Sequence, residues 1–554
     1  MARILPRIAV MLHVAFIAIY LAWMRGGTVP DYYAPLPWLA VALLEMTILF
    51  PVLKKGETDS EGRTRVLRSI LRDPVFYIGI VFLAFLGIQC ANGPCELTYD
   101  VELGAWKYTD PPFPNLPSCI DREETSQLLY WFAPVYAVVL AIRHGMSRKS
   151  KMNLLRVLVV SGALLALVGT LQFITGTKKI FWMTPIDVQF FASFGYPNHA
   201  GAYFTLMFSI CVGLLLHALG DEENHGKVHW IVICLVLNLL GATLSLCRAA
   251  ICLSWGIALV AVIYGFAYVG PLVSKSAQLR SAMLVIVGLG IAAFIFFVAY
   301  PDNSVRREIN SIFHSRRNAR IEKTEAKAAG GDAKAAGGQI SIENPFAGDR
   351  TLLREAAVGI WKDYPWTGVG GWAFRRYVGL YVDQSQWNAI RTRGRANVHN
   401  DFLQYLCENG LFGVGLIFGT IIVLLVPIWH RLVNMAVSPK NVQQPEQVDT
   451  ERVFVFRVSP IVWFMSIGTL AVVVHSLVDL PFRCPAIMVL WFICLAVMPA
   501  FMPKPKAAVS AAKDEGGHGG SSSGHHHHRH HHADAAQPAG GTSPDGDAES
   551  GEKR

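Results

Sequence analysis

Charge is scarce in this sequence. Only 16% of its 554 residues are Asp, Glu, Lys or Arg, whereas a soluble globular chain carries about a quarter. That shortage excludes an ordinary soluble enzyme, and the apolar excess beside it excludes a wholly disordered chain. The body of the chain also lacks a CxxC pair or a His/Cys cluster, so nothing in it signals a structural metal. After the first apolar run, 8–23, no convincing small-residue cleavage site follows. That run is therefore expected to be retained as a helix rather than removed as a signal peptide.

What the sequence has in abundance is hydrocarbon. Hydrophobic residues make up 53% of the chain, and the mean hydropathy is +0.37. Apolar runs of roughly 18 to 25 residues recur from end to end, and such runs need a bilayer rather than a core. The expected fold is an all-α polytopic membrane protein of about twelve spans. They fall near 7–24, 36–53, 74–92, 127–143, 154–175, 199–219, 228–246, 249–269, 281–300, 401–429, 459–477 and 486–502. The organisation expected is spans one to nine in 1–300, a large external loop in 301–400, three more spans in 401–502, and a disordered tail in 503–554.

The formal charge of +9 has to be read loop by loop, not as a nucleic-acid signature. Lys54, Lys55, Arg63, Arg65, Arg68 and Arg72 crowd one short connection, and Arg143, Arg148, Lys149, Lys151 and Arg156 another. Both belong in the cytoplasm by the positive-inside rule. The acidic, proline-rich connection 93–126 then faces out. An even number of spans puts both termini inside and the loop 301–400 outside, with the turns near 176–198, 247–248 and 478–485. Six cysteines (Cys211, Cys234, Cys247, Cys252, Cys407 and Cys494) lie in or beside apolar segments and read as small hydrophobes. Cys90, Cys95 and Cys119 bracket the connection 93–126, where an oxidising compartment would allow two of the three to pair.

The loop 301–400 has a seam. AKAAGGDAKAAGG, 326–338, is a low-complexity, flexible insertion. Beyond it, 350–364 spaces Leu353, Ala357, Ile360 and Trp361 as an amphipathic helix, expected to lie near the membrane interface. Pro365 ends it and WTGVGGWAF supplies a turn. The tail carries GHGGSSSGHHHHRHHH, a composition able to bind divalent metal ions but equally a low-complexity end.

Four polar motifs are expected on the outer face. The stretch 396–413, ANVHNDFLQYLCENGLFG, puts His399 and Asn400 where the long loop meets an apolar helix, with Asp401 as the candidate cap. A histidine at that junction suits proton transfer near neutral pH. FGYPNHAGAY places Pro197 in the first turn of a span and Asn198 and His199 at its outer end. LSLCRAAIC sets Arg248 between two apolar runs, where a guanidinium snorkels or meets an anion. HSLVDLPFRCP places His475 and Asp479 one helical turn apart, so that Asp479 can orient or balance a basic group. Arg350 and Arg354 start the amphipathic helix, and Arg391, Arg393 and Arg395 precede His399. With 16 Lys/Arg against 10 Asp/Glu in 301–400, the loop suits an anionic ligand. Taken singly, each motif reads as ordinary capping or snorkelling. Together they describe arginines for an anion and a histidine for a proton, and a lipid-linked pyrophosphate would present such oxygens at that depth.

VHNDFLQYLCENGLFG, preceded by GDR…LLREAAVGIWKDYPWTGVGGWAF and by SLCRAA, resembles the O-antigen ligase/polymerase superfamily over about 190–485. The resemblance implies a GT-C-like, all-helical glycosyltransferase of the bacterial inner membrane with its active site on the periplasmic face. It implies transfer of a glycan from undecaprenyl pyrophosphate to an acceptor hydroxyl, on lipid A–core or a polysaccharide, without metal, nucleotide or other cofactor. Carried over by motif, His399 is the general base, Arg248 and Arg350 hold the pyrophosphate, and Asn198, Asn400 and Asp479 support them. Inversion is expected, because no carboxylate pair is placed as retaining nucleophile and acid. A polymerase of O-antigen or exopolysaccharide shares these motifs. A transporter of lipid-linked glycan would instead place its polar groups near the midplane.

Overall fold

The computed structural model describes residues 5–101, 105–220, 226, 228–273, 345–383, 396–437 and 458–503. The expected ninth span (281–300), the insertion 326–338, Arg391, Arg393, Arg395 and the histidine-rich tail lie outside the described residues.

Helices dominate. They are α1 (Leu5–Trp23), α2 (Leu36–Leu49), α3 (Asp59–Leu71), α4 (Pro74–Ala91), α5 (Arg122–Gly145), α6 (Arg148–Ile174), α7 (Pro197–Leu219), α8 (Val228–Leu244), α9 (Arg248–Val273), α10 (Pro345–Asp363), α11 (Asp401–Val437), α12 (Pro460–Ser476) and α13 (Pro485–Val497). Among the described residues seven helices are long and apolar enough to cross a membrane, and four shorter apolar helices accompany them. The chain is thus a helical protein of membrane type. A small antiparallel hairpin departs from the all-helical expectation: β1 (Leu97–Asp100) pairs with β2 (Ala105–Tyr108) in the connection 93–126, Tyr99 opposite Trp106.

The packing centres on α7. Its sequence is apolar on every side, and a helix of that kind belongs inside a bundle rather than at its edge. Residues from Ala200 to Leu216 are buried without a break, against α6, α8, α9 and α12. Its few polar groups are satisfied within the bundle, as burial demands: Thr205 Oγ1 meets Ser254 Oγ at 2.8 Å, and the Ser209 hydroxyl donates to the Phe464 carbonyl.

The two ends of the bundle differ. At one end the basic connections meet: Arg143 Nε donates to Asp73 Oδ2 at 2.6 Å, and Ser69 Oγ lies 2.8 Å from His144 Nδ1. From there α4 runs 18 residues, about 27 Å of helix, to the other end. There Gln89 reaches the Thr367 carbonyl at 3.0 Å.

At this second end α10 behaves otherwise than expected. Its stripe Leu353, Ala357 and Ile360 is buried, but the cover is protein rather than membrane interface: Val369, Phe374, Val378, Val398 and Cys407 close over it as a second small core. Trp361 packs only at its margin. The Pro365–Gly370 turn docks into a break in α11. Gly410 adopts φ 62°, ψ −173°, a conformation almost confined to glycine, and interrupts the ladder. The groups released there are taken up by the turn: Leu411 N–H donates to Pro365 O at 2.8 Å, Phe412 N–H to Trp366 O at 3.0 Å, and Gly370 N–H to Glu408 O at 2.9 Å. The contact is backbone on backbone. A Cβ on Gly368 would lie 2.3 Å from the Glu408 carbonyl carbon, and one on Gly410 2.3 Å from that of Trp366. The sequence motifs PxxGVG and ENG are the two halves of this joint.

Cys90, Cys95 and Cys119, which bracket the connection 93–126, are all thiols. Cys95 and Cys119 are joined through the backbone, Cys95 N–H donating to Cys119 O at 3.2 Å.

Candidate active site

His399 stands on the last loop residues before α11, with φ +52°. A non-glycine residue held in the left-handed region stores strain, and such strain concentrates at functional sites. The carbonyls around it are tied down. Arg354 Nη2 donates to Leu477 O at 3.1 Å and to His399 O at 3.4 Å. Asn400 Nδ2 donates to the same Leu477 carbonyl at 3.1 Å. Asn400, not Asp401, caps α11, its Oδ1 accepting Leu403 N–H at 3.1 Å. Asp401 is instead buried in the first turn and accepts Phe482 N–H at 2.9 Å. The cap moves by one residue because the Asn400 amide can both accept from the helix and donate across to Leu477, which a carboxylate cannot.

His399 Nδ1 faces Asp479 Oδ1 at 3.6 Å, a contact longer than a hydrogen bond. Asp479 is the hub of the site. Tyr196 Oη donates to its two oxygens at 2.9 and 3.0 Å, Asn198 Nδ2 donates to Oδ2, and Leu480 N–H donates to Oδ1 at 2.8 Å. Burial alone would raise the Asp479 pKa. The His399 contact, the charges of His399 and His475 and the Tyr196 hydroxyl outweigh it and hold the carboxyl down at about 2. Burial and then the Asp479 charge push the Tyr196 phenol up, so Tyr196 remains a donor. His199 braces the same turn, its Nε2 3.1 Å from Leu480 O and its ring edge-on to Tyr196 at 4.9 Å.

Two sequence motifs thus meet at a third. Asn198 from the start of α7 and Asp479 from the end of α12 converge on His399 at the start of α11. Asn400 shares the Leu477 carbonyl with Arg354. Arg248 reaches the region by its backbone: it opens α9 as an exposed residue, and its neighbour Cys247 has Sγ 3.5 Å from His475 Nε2, one turn from Asp479. Arg350 is half-buried on α10, four residues and about one turn before Arg354.

Arg483 does not join this surface. It is 2% exposed, paired with Glu408 and held over the Tyr405 and Trp372 rings, 4.2 and 4.7 Å from their centroids. The basic side chain that faces Asp479 is therefore His399, not Arg483. His199 was read from the sequence beside Asn198 at the end of the span, whereas Tyr196 was not singled out. The YPNH spacing around Pro197 was a usable signal, since all three polar residues start one helix. Among the described residues no group of three His, Cys, Asp or Glu side chains is set to hold a metal ion.

Residues 232–418 match the profile of the O-antigen ligase family, which supports the O-antigen ligase superfamily for this chain and points to a membrane enzyme of ligase or polymerase type. The matched segment contains Arg248, Arg350, His399 and Asn400, while Asn198 and Asp479 lie outside it. No curated protein matches the chain.

Proposed function

We propose that this O-antigen ligase-type chain is an inverting membrane glycosyltransferase of the bacterial inner membrane, working on the periplasmic side. It takes a glycan from undecaprenyl pyrophosphate and passes it to an acceptor hydroxyl. The observation that carries the reading is His399 held against buried Asp479 at 3.6 Å where three otherwise distant motifs meet. With Nδ1 turned to Asp479, Nε2 is the nitrogen left for substrate, the arrangement in which a carboxylate fixes a histidine tautomer. Nε2 takes the acceptor O–H proton as the acceptor oxygen attacks the anomeric carbon. The bond from that carbon to the pyrophosphate oxygen breaks, and the pyrophosphate leaves on its lipid. A positioned base contributes about 10²–10⁴-fold.

Arg248 and Arg350 are assigned to the pyrophosphate, whose oxygens match guanidinium geometry and whose leaving charge they neutralise. Asn198 and Tyr196 keep Asp479 in place, and Asn400 and Arg354 fix the strained backbone at His399. The test is transfer by purified protein with undecaprenyl-pyrophosphate glycan and either lipid A–core or a second donor as acceptor. Glycan appearing on lipid A–core identifies a ligase, and lengthened glycan still on undecaprenyl pyrophosphate identifies a polymerase. No transfer to either acceptor overturns the reading.

A further inference from the structure

At the basic end of the bundle, away from the His399 cluster, α3 carries a pocket of about 580 Å³ whose lining includes Glu61, Thr64, Arg65, Arg68, Ser69 and Arg72. These positions recur every three or four residues, so the helix presents them as one face. That face is held rigidly. Val66 and Ile70 are buried on the opposite side, and Thr58 and Glu61 close a capping box at the start of the helix. Ser69 Oγ lies 2.8 Å from His144 Nδ1, and His144 Nε2 lies 2.7 Å from Asp73 Oδ2. The acids nearby are already engaged. Glu57 takes Arg65 Nε at 2.7 Å, Glu61 accepts Thr58 N–H at 2.9 Å, and Asp73 is shared by Arg143 and His144. Arg68 and Arg72 are exposed, and their guanidinium groups meet no acid among the described residues. Beside this basic row runs an apolar one. Leu67 and Leu71 are exposed, and Leu71, three residues from Arg68, is its neighbour on the helix surface. Exposed Tyr77, in the first turn of α4, donates its hydroxyl to Leu71 O at 2.8 Å. An aromatic ring with a tethered hydroxyl at the end of an apolar span marks the level of lipid head groups.

We propose that α3 binds an anionic phospholipid of the surrounding membrane, with Arg68 and Arg72 on its phosphate and Leu67, Leu71 and Tyr77 against the head-group end of its chains. Side chains one turn apart stand about 5–6 Å from each other at Cβ, so two guanidinium groups straddle a single phosphate, whose oxygens match their fork. The two rows of α3 decide the occupant. A soluble anion would satisfy the arginines and leave the leucines in water. A phospholipid supplies negative oxygens and hydrocarbon at adjacent depths, as an interfacial amphipathic helix requires. A zwitterionic lipid brings its own ammonium group, which offsets the attraction, so the anionic class is favoured. The site goes beyond the transfer reaction proposed above and does not depend on it.

The test is lipid binding by the full chain, stripped of lipid in detergent, with the dissociation constant of the first bound lipid read by native mass spectrometry. The probes are phosphatidylglycerol, phosphatidylcholine with the same chains, and glycerol 3-phosphate, which has the phosphate without the chains. Wild type is expected to bind phosphatidylglycerol about tenfold or more tighter than either of the others. A basic residue beside an anionic lipid is worth about fivefold in affinity. Arg68→Gln/Arg72→Gln should therefore weaken phosphatidylglycerol about 25-fold and erase the preference. Leu67→Ser/Leu71→Ser should weaken it by about threefold or more and leave glycerol 3-phosphate unchanged. Lys54→Gln/Lys55→Gln removes the same charge from exposed positions outside the pocket and should change binding by less than about twofold. All six substituted residues are exposed, and thermal unfolding of each variant establishes that it is folded before titration. Equal wild-type affinity for the two lipids, or an arginine variant with wild-type affinity, overturns the inference. An equal loss in the lysine variant also overturns it, since diffuse charge would then suffice. Glycerol 3-phosphate bound as tightly as phosphatidylglycerol overturns the lipid as occupant.

Discussion

Asp479 carries the electrostatics of the site, and its ionisation is testable by itself. Its carboxyl is held at about 2 against a reference of 3.8. A lowered carboxylate contributes stability that is present above the unfolded pKa and is lost as pH falls through the folded one. For Asp479 that is about 2 kcal/mol, present above about pH 4 and disappearing toward pH 2. The melting temperature of wild type should therefore exceed that of Asp479→Asn at pH 6, with the gap closing on acidification through that window. A gap independent of pH would show that the carboxylate is not stabilised as described. His399, Asn198 and Asp479 were legible in the sequence because polar groups beside long apolar runs stand out. Their mutual geometry was not, since Asn198 and Asp479 are 281 residues apart. The helix cap at Asn400 and the burial of Arg483 were hidden for a different reason. Each depends on a partner (Leu477 for one, Glu408 for the other) that local sequence does not name.

At the scale of elements, α11 is held in place by two joints. One is the backbone contact at Gly410. Gly410→Ala would place a methyl 2.3 Å from the Trp366 carbonyl carbon in a conformation that alanine avoids, and should destabilise the protein by at least about 2 kcal/mol. Gly415, on the same helix, has nothing within 4 Å of an added Cβ. Gly415→Ala should therefore leave the melting temperature unchanged or slightly higher. Equal effects at the two positions would contradict the joint. The other is the Arg483–Glu408 pair, both side chains at most 1% exposed. Removing one partner of such a pair costs about 3–5 kcal/mol, whereas replacing both is far less damaging. Thermal unfolding should thus rank Arg483→Met well below Arg483→Met/Glu408→Gln. The sequence announced α10 by its apolar stripe, yet an apolar stripe looks the same whether lipid or protein covers it. Only the fold distinguishes the two, and here 369–378 and Val398 cover it.

At the scale of the molecule, the hydropathy pattern made the helical membrane class readable, because spans of this length follow from the thickness of a bilayer. Span number was less readable, since some of the apolar helices are shorter than a full crossing and depend on packing for their place. The division of the bundle into a basic end and an end that gathers the His399 motifs was likewise anticipated by charge placement. It separates the proposed chemistry from the midplane, where a transporter site is expected. The central claim is that His399 is the base of a glycosyl transfer assembled at that second end. The most direct measurement is single-turnover transfer from undecaprenyl-pyrophosphate glycan by purified wild type, His399→Ala and Arg350→Ala, each shown to be folded, with EDTA present throughout. The account predicts active wild type, a loss of about 10²–10⁴-fold in His399→Ala and a comparable loss in Arg350→Ala. Wild-type rates in folded His399→Ala would contradict it.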